Sequence, residues 1–116
     1  LILKIKYKNN SNTKVALFAP LGAYPDSEHA QHSLDNAAAL LPEGSVVVNS
    51  FICQGKIAKS LAESFKKYPA GHPHAMTPER IAKHQEASKH PDEQDFKKAA
   101  EFAKQTYALV KGTINE

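Results

Sequence analysis

The residues best suited to contact a ligand lie in one short segment, PLGAYPDS, at residues 20–27. It follows an apolar run and contains one glycine, Gly22, and one aromatic residue, Tyr24. Glycine lets a ligand approach the backbone closely. A tyrosine ring can lie flat on a planar ligand while backbone N–H groups meet its polar atoms. The segment therefore has two interpretations: packing of Tyr24 within the loop, which the residues alone favour, and contact with a ligand.

Six histidines raise the question of a metal site. His29 and His32 are three residues apart in a predicted helix, so they can share one face. His72 and His74 are separated by Pro73, which favours a loop. Zinc sites usually combine such pairs with further Cys, His or carboxylate ligands. Because no cysteine lies near either pair, we favour exposed histidines and predict no metal site.

The sequence offers no catalytic nucleophile. Gly44-Ser45 begins a predicted strand rather than ending one, unlike the turn that exposes a nucleophilic serine. The single cysteine, Cys53, has no CxxC partner, and we expect it to act as a small buried apolar residue. Neither a phosphate loop nor a dinucleotide-binding motif is present. We therefore predict no catalytic residue.

The elements that must position the 20–27 segment follow from hydrophobic patterning. Two apolar runs, residues 14–19 and 45–53, predict buried strands. The first is continuously apolar, which is typical of a parallel strand covered on both faces. Helical spacing and start signals predict helices at residues 28–41, 56–68 and 80–88, and a last helix that begins after His90-Pro91 and ends at Gly112. Asp26 or Ser27 can cap the first of these helices, and Thr77 the third.

In the last helix we expect a core-facing apolar stripe: Phe96, Ala99, Ala100, Ala103, Tyr107 and Val110. Alternating strands and helices imply an α/β fold in which a right-handed crossover joins parallel strands. Ligands of such sheets bind at the carboxyl ends of the strands. The segment at residues 20–27 lies at such an end.

Composition and charge limit the function classes. The chain has 116 residues, which is the size of one domain, and its net charge is +3. The lysines do not form one basic patch, which argues against nucleic-acid binding. No run approaches the roughly 20 apolar residues of a membrane span. A single cysteine fits a reducing, cytoplasmic compartment.

Four segments together resemble the carboxyl-terminal part of small flavodoxin-like proteins: KVALFAPLGAYPDSEHA (14–30), FICQGKI (51–57), HPHAMTPERIAKH (72–84) and KHPDEQDFKKAAEFAK (89–104). The resemblance covers about residues 3–110. It implies a doubly wound parallel sheet with flanking helices, in which residues 14–19 match the fourth strand and 45–53 the fifth.

The resemblance also implies FMN as cofactor and electron transfer with a redox partner protein, rather than an enzyme in its own right. The implied cofactor-binding residues, which would flank the flavin ring, are Pro20, Leu21, Gly22, Ala23 and Tyr24. The family's phosphate loop precedes the matching region. We therefore expect one flavodoxin-like domain, residues 1–116, without its N-terminal part, and weak or no flavin binding by this chain alone.

The alternative is a cofactor-free interaction module derived from a flavodoxin-like half-fold. With two strands, the inner edge of the first would be unpaired and would invite a homo-oligomer.

Overall fold

The core of the fold is a parallel pair of strands with an antiparallel strand beside it. The computed structural model describes the backbone of residues 3–8 and 13–114 and the side chains of residues 13–111. The strands, in sheet order, are β1 (Leu3–Lys8), β2 (Thr13–Leu21) and β3 (Ser45–Gln54). The helices are α1 (Glu28–Ala39), α2 (Lys59–Phe65), α3 (Pro78–Ala87) and α4 (Glu93–Ile114).

The parallel pairing of β2 with β3 confirms the predicted α/β class. Val15 pairs with Val47 and Ala16 with Asn49, so Val48 is an extra residue that interrupts the register of β3. From Val15 to Ala19 every residue is buried except Phe18, which is half-buried. α1 covers one face of the strand, and on the other face the Phe18 ring stacks on Phe51 at 5.4 Å. Continuous apolarity in this strand therefore reflects burial on both faces.

The expectation of an open inner edge on the first predicted strand was wrong. β1 pairs antiparallel with β2 from Leu3 opposite Phe18 to Lys8 opposite Thr13. The alternation of apolar and lysine residues near the start of the chain therefore belongs to a strand, which the polar residues 9–12 separate from β2. The predicted homo-oligomer rested on an unpaired strand edge, and over residues 13–18 that edge is paired with β1.

The helix starts follow the capping chemistry that the sequence predicts. The Ser27 hydroxyl accepts the Ala30 N–H at 3.2 Å, and the Thr77 hydroxyl accepts the Arg80 N–H at 3.2 Å. Each oxygen satisfies a backbone donor that lacks a partner in the first helical turn. Helix ends were less accurate: α2 is shorter than predicted, and α4 continues past Gly112 to Ile114.

α4 packs through a different face from the one we expected. Phe102 and Thr106 are buried, whereas Phe96 and Tyr107 are 59% and 65% exposed. The Phe102 ring lies 5.6 Å from that of Phe51, and the Asn49 side chain donates to the Thr106 hydroxyl at 3.2 Å. These contacts with β3 set the rotation of the helix. They leave an apolar stripe on solvent, which we call the outer α4 stripe: Phe96, Ala100, Ala103 and Tyr107.

The chain buries less surface than a compact domain of its length. Its accessible surface is 8116 Å², against about 6,200 Å² expected for a compact monomer of this mass. Its radius of gyration is 17.1 Å, against about 13 Å expected. The core is correspondingly small and centres on Val15, Leu17, Ala19, Leu34 and Ala37.

Candidate functional site

The segment that the sequence singled out lies at the carboxyl edge of the parallel pair. We predicted that Pro20 and Leu21 belong to the loop, but they are the last residues of β2 and pair with Cys53 and Gln54. The strand extends this far because the Leu21 carbonyl accepts the Gly55 N–H at 2.7 Å. Residues 22–27 then connect β2 to α1, and we call them the β2–α1 loop.

Gly22 is held in place by the last residue of β3, Gln54, and by Ile57, which follows that strand. A Cβ atom at Gly22 would lie 2.6 Å from Ile57 Cγ1, so a side chain here would collide with Ile57. The buried Gln54 side chain donates to the Gly22 carbonyl at 3.1 Å and to the Lys83 carbonyl at 3.4 Å. The glycine therefore serves the packing of Ile57, a reason that sequence reasoning did not identify.

Tyr24 is the exposed aromatic residue of this loop. Its side chain is 40% exposed, while its carbonyl accepts from both the N–H and the hydroxyl of Ser27. Within the described residues its ring stacks on no other ring, and the amide N–H groups of Gly22, Ala23 and Tyr24 have no acceptor. The loop thus offers an aromatic face and backbone donors at the edge where α/β sheets bind ligands.

The five residues implied by the resemblance are brought together, since they are contiguous and all lie at this edge. Pro20 and Leu21 are half-buried in the strand, and Ala23, which belongs to the β2–α1 loop, is buried. Their contact with a flavin, and that of Gly22 and Tyr24, stays a prediction.

A second feature, missed by the sequence reasoning, is a cleft of about 360 Å³. We call it the basic cleft, and it is lined by His29, Phe65, His74, Met76, Arg80, Lys83 and His84. Lys83 and His84 lie three and four residues after Arg80 on α3, so the three side chains share one helical face. That spacing was the available signal.

The two histidine pairs considered for metal binding do not gain a third ligand among the described residues. The His74 N–H donates to His72 Nδ1, and the His72 ring stacks on Tyr68 at 4.3 Å. His32 is exposed on α1, and of that pair only His29 lines the basic cleft. The rings of His72 and His74 are thus part of an aromatic cluster in a loop.

A polar cluster at the start of α4 brings His90, Asp92 and Asp95 together, with one possible ligand atom from each within 4.8 Å of the others. These atoms are already engaged with one another. Asp92 and Asp95 each accept the other's backbone N–H, at 2.9 and 2.8 Å, which is a reciprocal cap of the helix start. His90 Nδ1 lies 2.6 Å from Asp95 and Nε2 lies 3.2 Å from Glu86.

The hydrogen bonds and charges within this cluster shift the pKa values of His90 and Asp95. The hydrogen bond to Asp95, and then that to Glu86, raises the pKa of His90 above its ordinary value of 6.5. Burial alone would raise the pKa of Asp95, but hydrogen bonds from His90 and the Asp92 backbone outweigh it and lower that pKa. The cluster joins α3 to α4 and, through the bond from the Lys56 N–H to the His90 carbonyl, to the segment after β3.

Cys53 is buried at the carboxyl end of β3, as expected of a small apolar residue. Burial, and secondarily the Asp95 carboxylate, raises the pKa of its thiol. Burial and the raised pKa both disfavour the nucleophilic thiolate form of Cys53.

Of the helices in the described part of the chain, not one combines the length and apolarity that a bilayer span requires.

Comparison with known proteins gives two findings. The family model described as "Flavodoxin domain" matches residues 5–104. The flavodoxin-like domain-containing protein BilS of Clostridioides difficile (strain CD3) is 32% identical over 110 residues, which cover 92% of this chain and 60% of that protein. The chain thus spans less than two thirds of this relative's length. No solved structure matches the chain significantly. On the family match and this relative, the chain belongs to the flavodoxin domain family.

Proposed function

We propose that this chain supplies the ring-contacting wall of an FMN site and takes part in electron transfer with a redox partner protein. The observation that carries the proposal is the placement of the β2–α1 loop, with its exposed Tyr24 ring, at the carboxyl edge of the parallel pair in a chain of this family. Bound FMN would supply the reversible uptake of electrons. This role needs no acid or base from the chain.

The residues present fit the flavin ring better than its phosphate. Tyr24 offers a face for stacking, and the free N–H groups of residues 22–24 suit acceptor atoms at the rim of the ring. Within the loop, Ala23 is buried and Ile57 packs against Gly22. Phosphate groups usually bind where N–H groups or cationic side chains converge, and residues 22–27 contain no lysine or arginine.

A flavin titration of Tyr24→Ala tests the proposal. Loss of a stacking ring costs about 1 kcal/mol, so we expect roughly fivefold weaker FMN binding, measured by quenching of flavin fluorescence. Tyr107→Ala, which removes an exposed tyrosine from α4, is the matched control and should leave the affinity unchanged.

Riboflavin gives a second control in the same titration. Because the ring contacts carry the binding, riboflavin and FMN should bind this chain equally, however weakly. Equal affinity of the Tyr24→Ala and Tyr107→Ala variants, or no quenching of either flavin by the unaltered chain, would contradict the proposal.

A cofactor-free interaction module is the second candidate function, and a separate observation favours it. The outer α4 stripe places two large aromatic side chains on solvent, and the chain exposes more surface than a compact monomer. Such a face stabilises association with another polypeptide segment by burying its apolar area. This candidate predicts a defined oligomer in solution.

The proposal includes a reducing, cytoplasmic location, because the chain's single cysteine cannot form an internal disulfide.

A further inference from the structure

The basic cleft has the size of a small-molecule site and is open on one side to solvent. Its volume of about 360 Å³ is within the usual range of ligand pockets. Four elements form its walls: the first turn of α1, the end of α2, the loop that follows α2, and α3. The flavin-contacting face proposed above uses none of these lining residues.

The charge of the cleft is of one sign. Its lining contains Arg80, Lys83 and three histidines, but no carboxylate. Among the described residues, neither Arg80 nor Lys83 forms an ion pair with an acidic side chain. Buried or half-buried cations without a partner carry an electrostatic cost that a bound anion offsets.

Arg80 is fixed in place without being neutralised. Its two terminal nitrogens donate to the carbonyls of Pro73 and Ala75. A guanidinium has five N–H donors, so these two bonds orient it and leave further donors and the full charge available. Preorganisation of this kind lowers the cost of binding an oxyanion.

The pKa of His84 is lowered partly by the same positive charges. Burial lowers its pKa below 6.5, and the charges of Lys83 and then Arg80 lower it further. Beside these charges the cleft has an apolar wall, formed by Phe65 and Met76, and the Phe65 ring lies 5.8 Å from that of His84.

We propose that the basic cleft binds a small molecule that carries an oxyanion, phosphate or carboxylate, next to a short apolar group. The oxyanion meets Arg80 and Lys83, and the apolar group lies on Phe65 and Met76. This site is separate from the flavin face, so either proposal can fail without the other.

Phenyl phosphate is the test ligand, and its binding to the full chain is followed by NMR of the histidine rings and the Met76 methyl group. Inorganic phosphate lacks the apolar group, and phenol lacks the anion. We expect phenyl phosphate to bind more tightly than inorganic phosphate, phenol to cause no shifts, and bound anion to raise the pKa of His84. Benzoate, in place of phenyl phosphate, tells whether a carboxylate is preferred to a phosphate.

Lys83→Gln should weaken phenyl phosphate binding roughly tenfold, since it removes one charge-assisted contact. Lys104→Gln makes the same charge change at an exposed position on α4 and is the matched control. Equal weakening in both variants, shifts with phenol as large as those with phenyl phosphate, or no shifts with either anion would overturn the proposal. Lumiflavin, the flavin ring without its phosphate, should bind the Lys83→Gln variant as well as the unaltered chain.

Discussion

The substitution Gly22→Ala tests how the β2–α1 loop is held at the carboxyl edge. The added Cβ would lie 2.6 Å from Ile57 Cγ1 and 2.8 Å from Ile57 Cδ1. Real Cβ atoms are not found so close to carbon, so either Ile57 or the loop must move. Because the Ile57 side chain is only half-buried, it can turn partly toward solvent.

Inserting one methyl group into a packed contact costs about 1–3 kcal/mol, and the mobility of Ile57 places the expected loss near the lower value. Gly55→Ala is the matched control. Its Cβ would meet only Pro20 Cβ, at an ordinary 3.7 Å. Urea unfolding followed by circular dichroism should give a lower midpoint for Gly22→Ala and a nearly unchanged or slightly higher midpoint for Gly55→Ala.

A double substitution identifies the colliding partner. Ile57→Ala removes both atoms that the new Cβ would meet, so Gly22→Ala should cost less stability in that background than in the unaltered chain. The same cost in both backgrounds, or equal costs for the Gly22 and Gly55 substitutions, would refute the packing argument for Gly22.

Two further predictions concern the start and the outer face of α4. The pKa of His90 is raised in the folded chain, so its protonated form stabilises the fold below pH 6.5 and this contribution disappears as pH rises through the raised value. Urea midpoints measured from about pH 5 to pH 8 should therefore differ most between the unaltered chain and His90→Gln at the acidic end, and a difference that does not vary with pH would contradict this. Replacing Phe96 and Tyr107 of the outer α4 stripe by serine should abolish any oligomer seen by light scattering, while the exposed Leu40→Ser serves as control; an oligomer that survives would exclude this stripe as its interface.

Local chemistry accounts for what the sequence predicted correctly. A short apolar run specified β2, and three consecutive valines specified β3, because branching at Cβ favours extended structure. The predicted burial of the second run was wrong at its start, where Val46 and Val47 are each 40% exposed. Ser27 and Thr77 identified two helix starts, since their hydroxyls bond the first free N–H groups. The position of the β2–α1 loop at the carboxyl edge of the parallel pair could be predicted because parallel strands end at the same edge.

The errors arise where long-range packing decides. The apolar residues of α4 cover most of its circumference, and only the contacts of Phe102 and Thr106 with β3 select the face that is buried. β1 was missed because its apolar residues alternate with lysines and its pairing depends on a partner strand.

The reason for Gly22 and the existence of the basic cleft were also missed. Gly22 contacts Ile57, which is distant in sequence, and the cleft joins residues from four elements. No local pattern contains either fact.

Chemical-shift mapping with lumiflavin tests the central claim most directly, because this ring without phosphate reports on ring contacts alone. We expect shifts of the amide groups of residues 22–24 and of the Tyr24 ring, with none at Lys83 or His84. Two results would contradict the claim that the β2–α1 loop is the flavin-contacting wall. One is a set of shifts confined to the basic cleft or to α4, and the other is the absence of shifts up to the solubility limit of lumiflavin.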